Sequence, residues 1–112
     1  MKKDSACKVV FEETTYELIM ETPLDWKWIH VNSKPLFSKT WFSLYVNDSI
    51  SNYQLIRYEG NAVFKFPTTY VLYYKDIEVP LMSVEASNID LYIMGAIYKT
   101  VKKFQKDLKI SK

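Results

Sequence analysis

The clearest pattern of apolar and polar positions lies in the last quarter of the chain. Apolar residues recur there at spacings of four and three, as on one face of a helix: Ile89, Ile93, Ile97, Val101, Phe104 and Leu108. Lysines fall on the opposite side: Lys99, Lys102, Lys103 and Lys106. The pattern predicts an amphipathic helix from about 87 to about 108, opened by Ser87 and Asp90 as a capping box. We expect this helix to be the main lid over a sheet through Ile93, Ile97, Val101 and Phe104.

The region before the helix is dense in β-branched and aromatic residues, which favours strands. The runs QLIRYE and AVFKF meet at Gly60-Asn61, a pair that tolerates the positive φ of a two-residue hairpin turn. We predict strands at about 53–59 and 62–66 around that turn.

A second hairpin is predicted directly after the first. The run TTYVLYY, residues 68–74, favours a strand, and Lys75-Asp76 separates it from the alternating residues 77–79. Pro80 lacks a backbone N–H, so it should end the last strand or keep it at a sheet edge.

Three further segments upstream favour strands. Residues 41–46 form one, with Asn47-Asp48-Ser49 as the turn after it. Residues 26–31 alternate, with Trp26, Trp28 and His30 on one face. Residues 7–21 fit two strands or one long bent strand, with a helix left open.

Together these elements predict one α+β domain over residues 1–112, with frayed ends at 1–6 and 109–112. The fold class is an antiparallel meander sheet or small barrel of five to seven strands, packed against one C-terminal amphipathic helix. This order of strands and helix resembles the small barrels of the pleckstrin-homology type, in topology alone. A likeness of topology carries no function, because one fold hosts many unrelated activities.

Composition fits a folded protein and offers few residues for catalysis. Hydrophobic residues make up 48% and charged residues 25%, as in ordinary globular chains. The chain has one histidine, His30, one cysteine, Cys7, and two glycines, too few for a disulfide, a zinc cluster or a phosphate-cradling loop. We expect His30 to be packed or hydrogen-bonded and Cys7 to be buried or half-buried. The prediction is a protein that is not an enzyme, with no catalytic residue, cofactor or metal.

Charge and cysteine content also restrict location and partners. A single cysteine favours the reducing cytoplasm, and no apolar run is long enough to span a bilayer. The net charge of +2 gives little attraction to an anionic membrane, so we expect no membrane partner. Fourteen of the fifteen basic residues are lysines, which argues against sequence-specific reading of duplex DNA by arginine.

Aromatic content is the unusual feature, at 16% of the chain with nine tyrosines and three tryptophans. We expect more rings than the core can enclose, and exposed tyrosine and tryptophan are typical anchors of protein interfaces. The resulting hypothesis is a cytoplasmic protein that docks on a larger protein partner, as an inhibitor or accessory subunit. Its candidate binding residues are Trp26, Trp28, Tyr58, Tyr73 and Tyr74.

Two alternatives stay open at the level of sequence. The rings could stack on single-stranded nucleic acid, with phosphates held by Lys65, Lys75, Lys99, Lys102, Lys103 and Lys106. A small-ligand pocket between sheet and helix is the third hypothesis. Salt dependence separates the first two, because phosphate contacts weaken steeply with salt and a buried aromatic interface does not.

Overall fold

Seven strands are followed by one long helix along the chain. The structure is a computed structural model that describes residues 5–21 and 25–110. The elements in chain order are β1 (Ser5–Phe11), β2 (Thr14–Met20), β3 (Trp26–Lys34), a 3₁₀ turn (Pro35–Phe37), β4 (Lys39–Val46), β5 (Ser49–Tyr58), β6 (Thr69–Tyr74), β7 (Met82–Glu85) and α1 (Leu91–Ile110).

All seven strands form one sheet, in the order β2-β1-β3-β4-β5-β6-β7. Every neighbouring pair is antiparallel except β1 and β3, which run parallel. The sheet curls into a half-barrel, and α1 contacts both of its edge strands, β2 and β7. The predicted α+β class is confirmed. The parallel β1–β3 pair departs from a simple meander, and the half-barrel stays open where the pleckstrin-homology likeness implied closure.

The turn predicted after residues 41–46 is present, and one of the alternatives left open for residues 7–21 is realised. Asn47 and Asp48 join β4 to β5 with φ values of 50° and 63°, the double positive φ of a type I′ turn. Residues 7–21 form two strands, β1 and β2, around Glu12, whose φ is also positive at 54°. Two residues of the predicted frayed N-terminus, Ser5 and Ala6, belong to β1 and pair with β2. At the other end, the helix backbone reaches residue 110. The remaining residues of both predicted frayed ends lie outside the described residues.

The predicted strand at 62–66 is wrong. β5 pairs directly with β6, from Tyr58 opposite Thr69, and residues 59–68 form the loop between them. The side-chain oxygen of Asn61 accepts hydrogen bonds from the backbone N–H groups of Val63 (2.9 Å) and Phe64 (3.2 Å). An asparagine that captures nearby amides in this way competes with strand pairing.

The predicted strand at 77–79 is also wrong, because the partner of β6 is β7, beyond Pro80. The first backbone N–H after this proline, that of Leu81, donates to the carbonyl of Leu72 at 2.7 Å. Pairing therefore resumes only after the proline, and residues 75–81 form a wider connection than the predicted turn.

The helix begins at Leu91 and not at 87, so the predicted capping box is wrong. Asp90 is the cap: its carboxylate accepts a hydrogen bond from the N–H of Ile93 at 2.8 Å, and its carbonyl accepts one from Met94 at 2.9 Å. Ser87 precedes the helix.

The core lies between the helix and the concave face of the sheet. Ile93, Ile97 and Val101 of the helix are buried as predicted, together with Met94, while Phe104 is half-buried. The facing sheet residues include Leu44, Leu55 and Leu72, one from each central strand. Their burial against the helix is the main source of hydrophobic stabilisation.

The one cysteine and the one histidine of the chain lie in different environments. Cys7 is buried in the core as expected. His30 is exposed, and its Nε2 lies 2.6 Å from the hydroxyl of Ser33 in a hydrogen bond. His30 is therefore hydrogen-bonded, as one of the two expected outcomes.

The burial of Tyr53 predicts that the free energy of unfolding falls at alkaline pH. Its ring is buried, its hydroxyl donates to the carbonyl of Val101 at 3.5 Å, and burial raises its pKa to about 12. In the unfolded chain the pKa of tyrosine is about 10. Between these values the unfolded state binds fewer protons than the folded state, so stability falls as pH rises from about 10 to about 12.

We expect Tyr53→Phe to reduce that decline by up to about 1.4 kcal/mol per pH unit. Urea unfolding at pH 8 and at pH 11 measures it as a difference from wild type, which cancels the titration of other groups. Tyr92→Phe, at a tyrosine that is 85% exposed, is the control and should keep the wild-type decline. Equal pH slopes for wild type and Tyr53→Phe would contradict the assignment.

Candidate protein-docking face

The convex side of the sheet carries a second set of apolar residues. Cross-strand partners point to the same face, and three rows of partners cross β4, β5 and β6 on the side away from the helix. The rows are Lys39, Tyr58 and Thr69; Trp41, Ile56 and Val71; and Ser43, Gln54 and Tyr73. We call these nine residues the outer face.

The centre of the outer face is apolar and densely packed. Ile56, Val71 and Ser43 are buried, although Ile56 and Val71 are not part of the core under the helix. Trp41, Tyr58 and Tyr73 are half-buried around them. No helix or strand within residues 5–21 and 25–110 packs on this side of the sheet. The rings therefore form a patch whose upper surface is open to solvent.

Lysines extend over the rings at the rim of the outer face. The Nζ of Lys39 lies 5.2 Å from the ring centroid of Tyr58, and that of Lys34 lies 5.7 Å from the ring centroid of Trp41. These are cation–π distances. Burial, followed by the neighbouring Tyr58 hydroxyl, raises the pKa of Tyr73. The patch thus combines apolar ring surface with cations and neutral hydroxyls at its edge.

At one end of the sheet, two connections present apolar side chains to solvent. The 3₁₀ turn after β3 and the loop after β5 lie side by side, since the N–H of Glu59 donates to the carbonyl of Ser38 at 2.8 Å. Five large apolar side chains on these connections have exposed fractions between 67% and 96%: Leu36, Phe37, Val63, Phe64 and Phe66. We call them the apolar tip.

The loop that carries most of the apolar tip is held by its own hydrogen bonds. Asn61 and Phe66 exchange two backbone bonds of 2.8 and 3.0 Å, and the N–H of Gly60 donates to the hydroxyl of Thr68 at 2.9 Å. The side chain of Asn61 binds two further amides of the same loop. The exposed side chains therefore project from an ordered backbone.

The five predicted binding residues divide between the two sides of the sheet. Trp26 and Trp28 are each 3% exposed and belong to the core under the helix. Tyr74 also points to the helix side, where its ring centroid lies 4.8 Å from that of Phe104. Tyr58 and Tyr73 lie on the outer face. Only these last two are placed where a partner could reach them across the sheet.

The lysines proposed for nucleic-acid binding are not brought together with those tyrosines. Lys99, Lys102, Lys103 and Lys106 lie on α1, which covers the opposite side of the sheet. Lys102 pairs with Glu21 at 2.6 Å. Lys75 lies in the turn after β6, and Lys65 lies in the loop of the apolar tip.

Sequence reasoning missed Trp41, Ile56 and Val71, the middle row of the outer face. The signal was present, because β4, β5 and β6 carry apolar residues at both odd and even positions: Trp41 and Phe42, Leu55 and Ile56, Val71 and Leu72. A strand with apolar residues on both sides has two faces to cover. Val63, Phe64 and Phe66 of the apolar tip were missed because residues 62–66 were assigned to a strand, and no element was predicted for Leu36 and Phe37.

Concavities and metal-ligating groups are two other kinds of candidate site within the described residues. One concavity, of about 520 Å³, lies near Glu12, Arg57 and Tyr70. A concavity of about 360 Å³ lies between the C-terminal half of α1 and the sheet, near Trp26, Tyr53 and Tyr98. That volume is at the low end for small-ligand sites. Within residues 5–21 and 25–110, no group of three or more potential metal-ligating side chains was found. None of the described helical segments combines the length and apolarity that crossing a bilayer requires.

Comparisons of the chain with models of protein families, with curated proteins and with solved structures gave no match.

A substitution at Gly60 tests how closely the backbone packs in the loop of the apolar tip. A Cβ atom at this position would overlap the carbonyl oxygen of Phe66 and the backbone nitrogen of Thr68. We expect Gly60→Ala to lower the free energy of unfolding by about 1–3 kcal/mol, because backbone atoms must move apart. Urea unfolding measures this change.

Gly95→Ala is the matched control, since a Cβ there would meet nothing within 4 Å and the position lies inside α1. We expect it to raise stability by about 0.5–1 kcal/mol through helix propensity. A neutral effect of Gly60→Ala would show that the loop is looser than described.

Proposed function

We propose that this chain is a non-catalytic binding protein that docks on a larger protein partner through the outer face, as an inhibitor or accessory subunit. The observation that supports it is the row of Trp41, Ile56 and Val71, flanked by Tyr58 and Tyr73, on a side of the sheet that no described element covers. Apolar patches that stay open on an ordered surface mark interaction sites.

The chemistry of the outer face suits a protein interface. Tyrosine and tryptophan supply large contact areas at small cost in conformational entropy, since each has two side-chain torsions. Buried Ile56 and Val71 limit how far the rings can shift, so the surface is already ordered before binding. Lys34 and Lys39 would form the polar rim and favour a partner with carboxylates around an apolar centre.

Single-stranded nucleic acid is the weaker candidate. Base stacking needs open ring faces, and the ammonium groups of Lys34 and Lys39 already lie over the rings of Trp41 and Tyr58. The four helix lysines could not follow a strand bound on the outer face, because the whole sheet lies between them. We propose the cytoplasm as its location, because a single buried thiol such as Cys7 stays reduced there.

Site-directed photo-crosslinking tests the proposal. A benzophenone amino acid replaces Tyr73 on the outer face, or Tyr92 on the exposed side of α1, and each protein is irradiated in an extract of its native cell. We expect the Tyr73 probe to give one discrete protein adduct that persists after nuclease treatment and at high salt. The Tyr92 probe should give none. Equal adducts from both probes, or an adduct removed by nuclease, would contradict the proposal.

Once the partner is identified, alanine substitutions in the outer face measure how much each side chain contributes to the binding free energy. We expect Tyr73→Ala and Tyr58→Ala each to weaken binding roughly 30-fold, the effect of an interface hot spot of about 2 kcal/mol. Tyr92→Ala should leave affinity unchanged. Circular dichroism at the assay temperature must show each variant folded, so that lost affinity is separated from lost structure.

A further inference from the structure

The apolar tip calls for a partner of its own. Its five side chains, Leu36, Phe37, Val63, Phe64 and Phe66, are hydrocarbon with no polar side-chain atom. Protein hot spots are enriched in tryptophan, tyrosine and arginine, which on this molecule lie elsewhere. The composition of the tip therefore differs from that of the outer face.

Lysines and amphipathic rings adjoin the apolar tip along the chain. Lys34 ends β3 and Lys39 begins β4, so both flank the 3₁₀ turn, and Lys65 lies between two of the tip phenylalanines. Trp41 and Tyr58 follow on the adjoining strands. At a bilayer surface, hydrocarbon side chains enter the acyl region, and amphipathic rings and lysine ammonium groups lie at the interface around them. We propose that the apolar tip inserts into the surface of an anionic lipid membrane.

Local charge supports an anionic surface although the net charge is small. Lys34, Lys39 and Lys65 form no ion pair with any residue in the described part of the chain. Glu59, the acidic residue of the loop 59–68, is paired with Arg57, whose Nε lies 2.8 Å from its carboxylate and whose guanidinium also pairs with Glu12. Clustered lysines gain free energy near anionic lipid headgroups. The expectation of no membrane partner rested on net charge, which averages over this cluster.

Part of the tip backbone is already hydrogen-bonded within the protein. Hydrocarbon cannot hydrogen-bond to exposed peptide groups, so these must be satisfied within the protein. The N–H groups of Asn61, Val63, Phe64 and Phe66 all donate within the loop. Pro35 and Pro67 have no N–H to satisfy. A shallow insertion of the tip thus leaves these four donors paired inside the loop.

A second copy of the chain is a poorer occupant. Packing one tip against another would bring together the lysine clusters of both copies, at short range and low dielectric. An anionic lipid surface has the opposite charge and adapts to a convex shape.

Vesicle co-sedimentation of the full chain tests this inference. The probes are vesicles of phosphatidylcholine alone and vesicles that also contain about 30% phosphatidylserine. We expect binding to the anionic vesicles, weakened by salt and weaker still on phosphatidylcholine alone. The double variant Leu36→Asp, Phe64→Asp should lower the vesicle affinity by at least about tenfold. The matched control Tyr92→Asp, equally exposed but on the helix, should bind as wild type.

The outcomes separate this inference from the proposed docking function. No binding to anionic vesicles, or an equal loss with Tyr92→Asp, overturns it. If the tip variant leaves vesicle binding unchanged but removes the protein adduct formed at Tyr73, the tip belongs to a protein interface and the inference is also overturned. All three substituted positions are exposed, and a thermal melt of each variant confirms that it is folded before the assay.

Discussion

One helix can cover only one side of a sheet, and most of this structure follows from that constraint. The central strands β4, β5 and β6 are apolar at both odd and even positions, so each side of the sheet presents hydrocarbon. Helix α1 buries the concave side through Ile93, Ile97 and Val101. On the convex side the rings of Trp41, Tyr58 and Tyr73 lie around the buried Ile56 and Val71 and are themselves half-buried. The described residues thus form one two-layer core under the helix, and none of their helices or strands covers the second apolar layer.

Periodicity predicted the parts of the fold that long-range packing governs. The apolar stripe of α1 and the aromatic runs of β3 to β6 extend over many residues, and each segment forms the predicted type of element. The errors lie where a single side chain decides. Asn61 binds the amides that a strand at 62–66 would have used, and Asp90 caps the helix one turn later than Ser87 would. Such choices depend on which of two local hydrogen-bonding patterns the surrounding structure stabilises, and propensity weighs them almost equally.

The candidate site was predictable in its chemistry but only partly in its placement. Alternation along β6 correctly put Tyr73 and Tyr74 on opposite sides of the sheet, as ring contact of Tyr74 with Phe104 shows. It could not say which side the helix would cover, because that is a property of the assembled sheet. Trp26 and Trp28 share one face of β3 as predicted, and the helix covers that face. The exposure of Phe64 and Phe66 could not be predicted either, because an apolar run in sequence predicts burial.

The outer face and the apolar tip adjoin each other, and this adjacency links the two proposals. Tyr58 lies opposite Lys39 in the sheet, and the chain enters the tip loop directly after it. A chain held on a lipid surface by its tip would keep the outer face next to that surface. A partner on the same membrane would then meet the face at a high effective concentration, so a moderate affinity across the sheet would suffice for stable docking. In that arrangement Trp41 and Tyr58 would lie at the boundary between lipid and partner, where amphipathic rings are favoured.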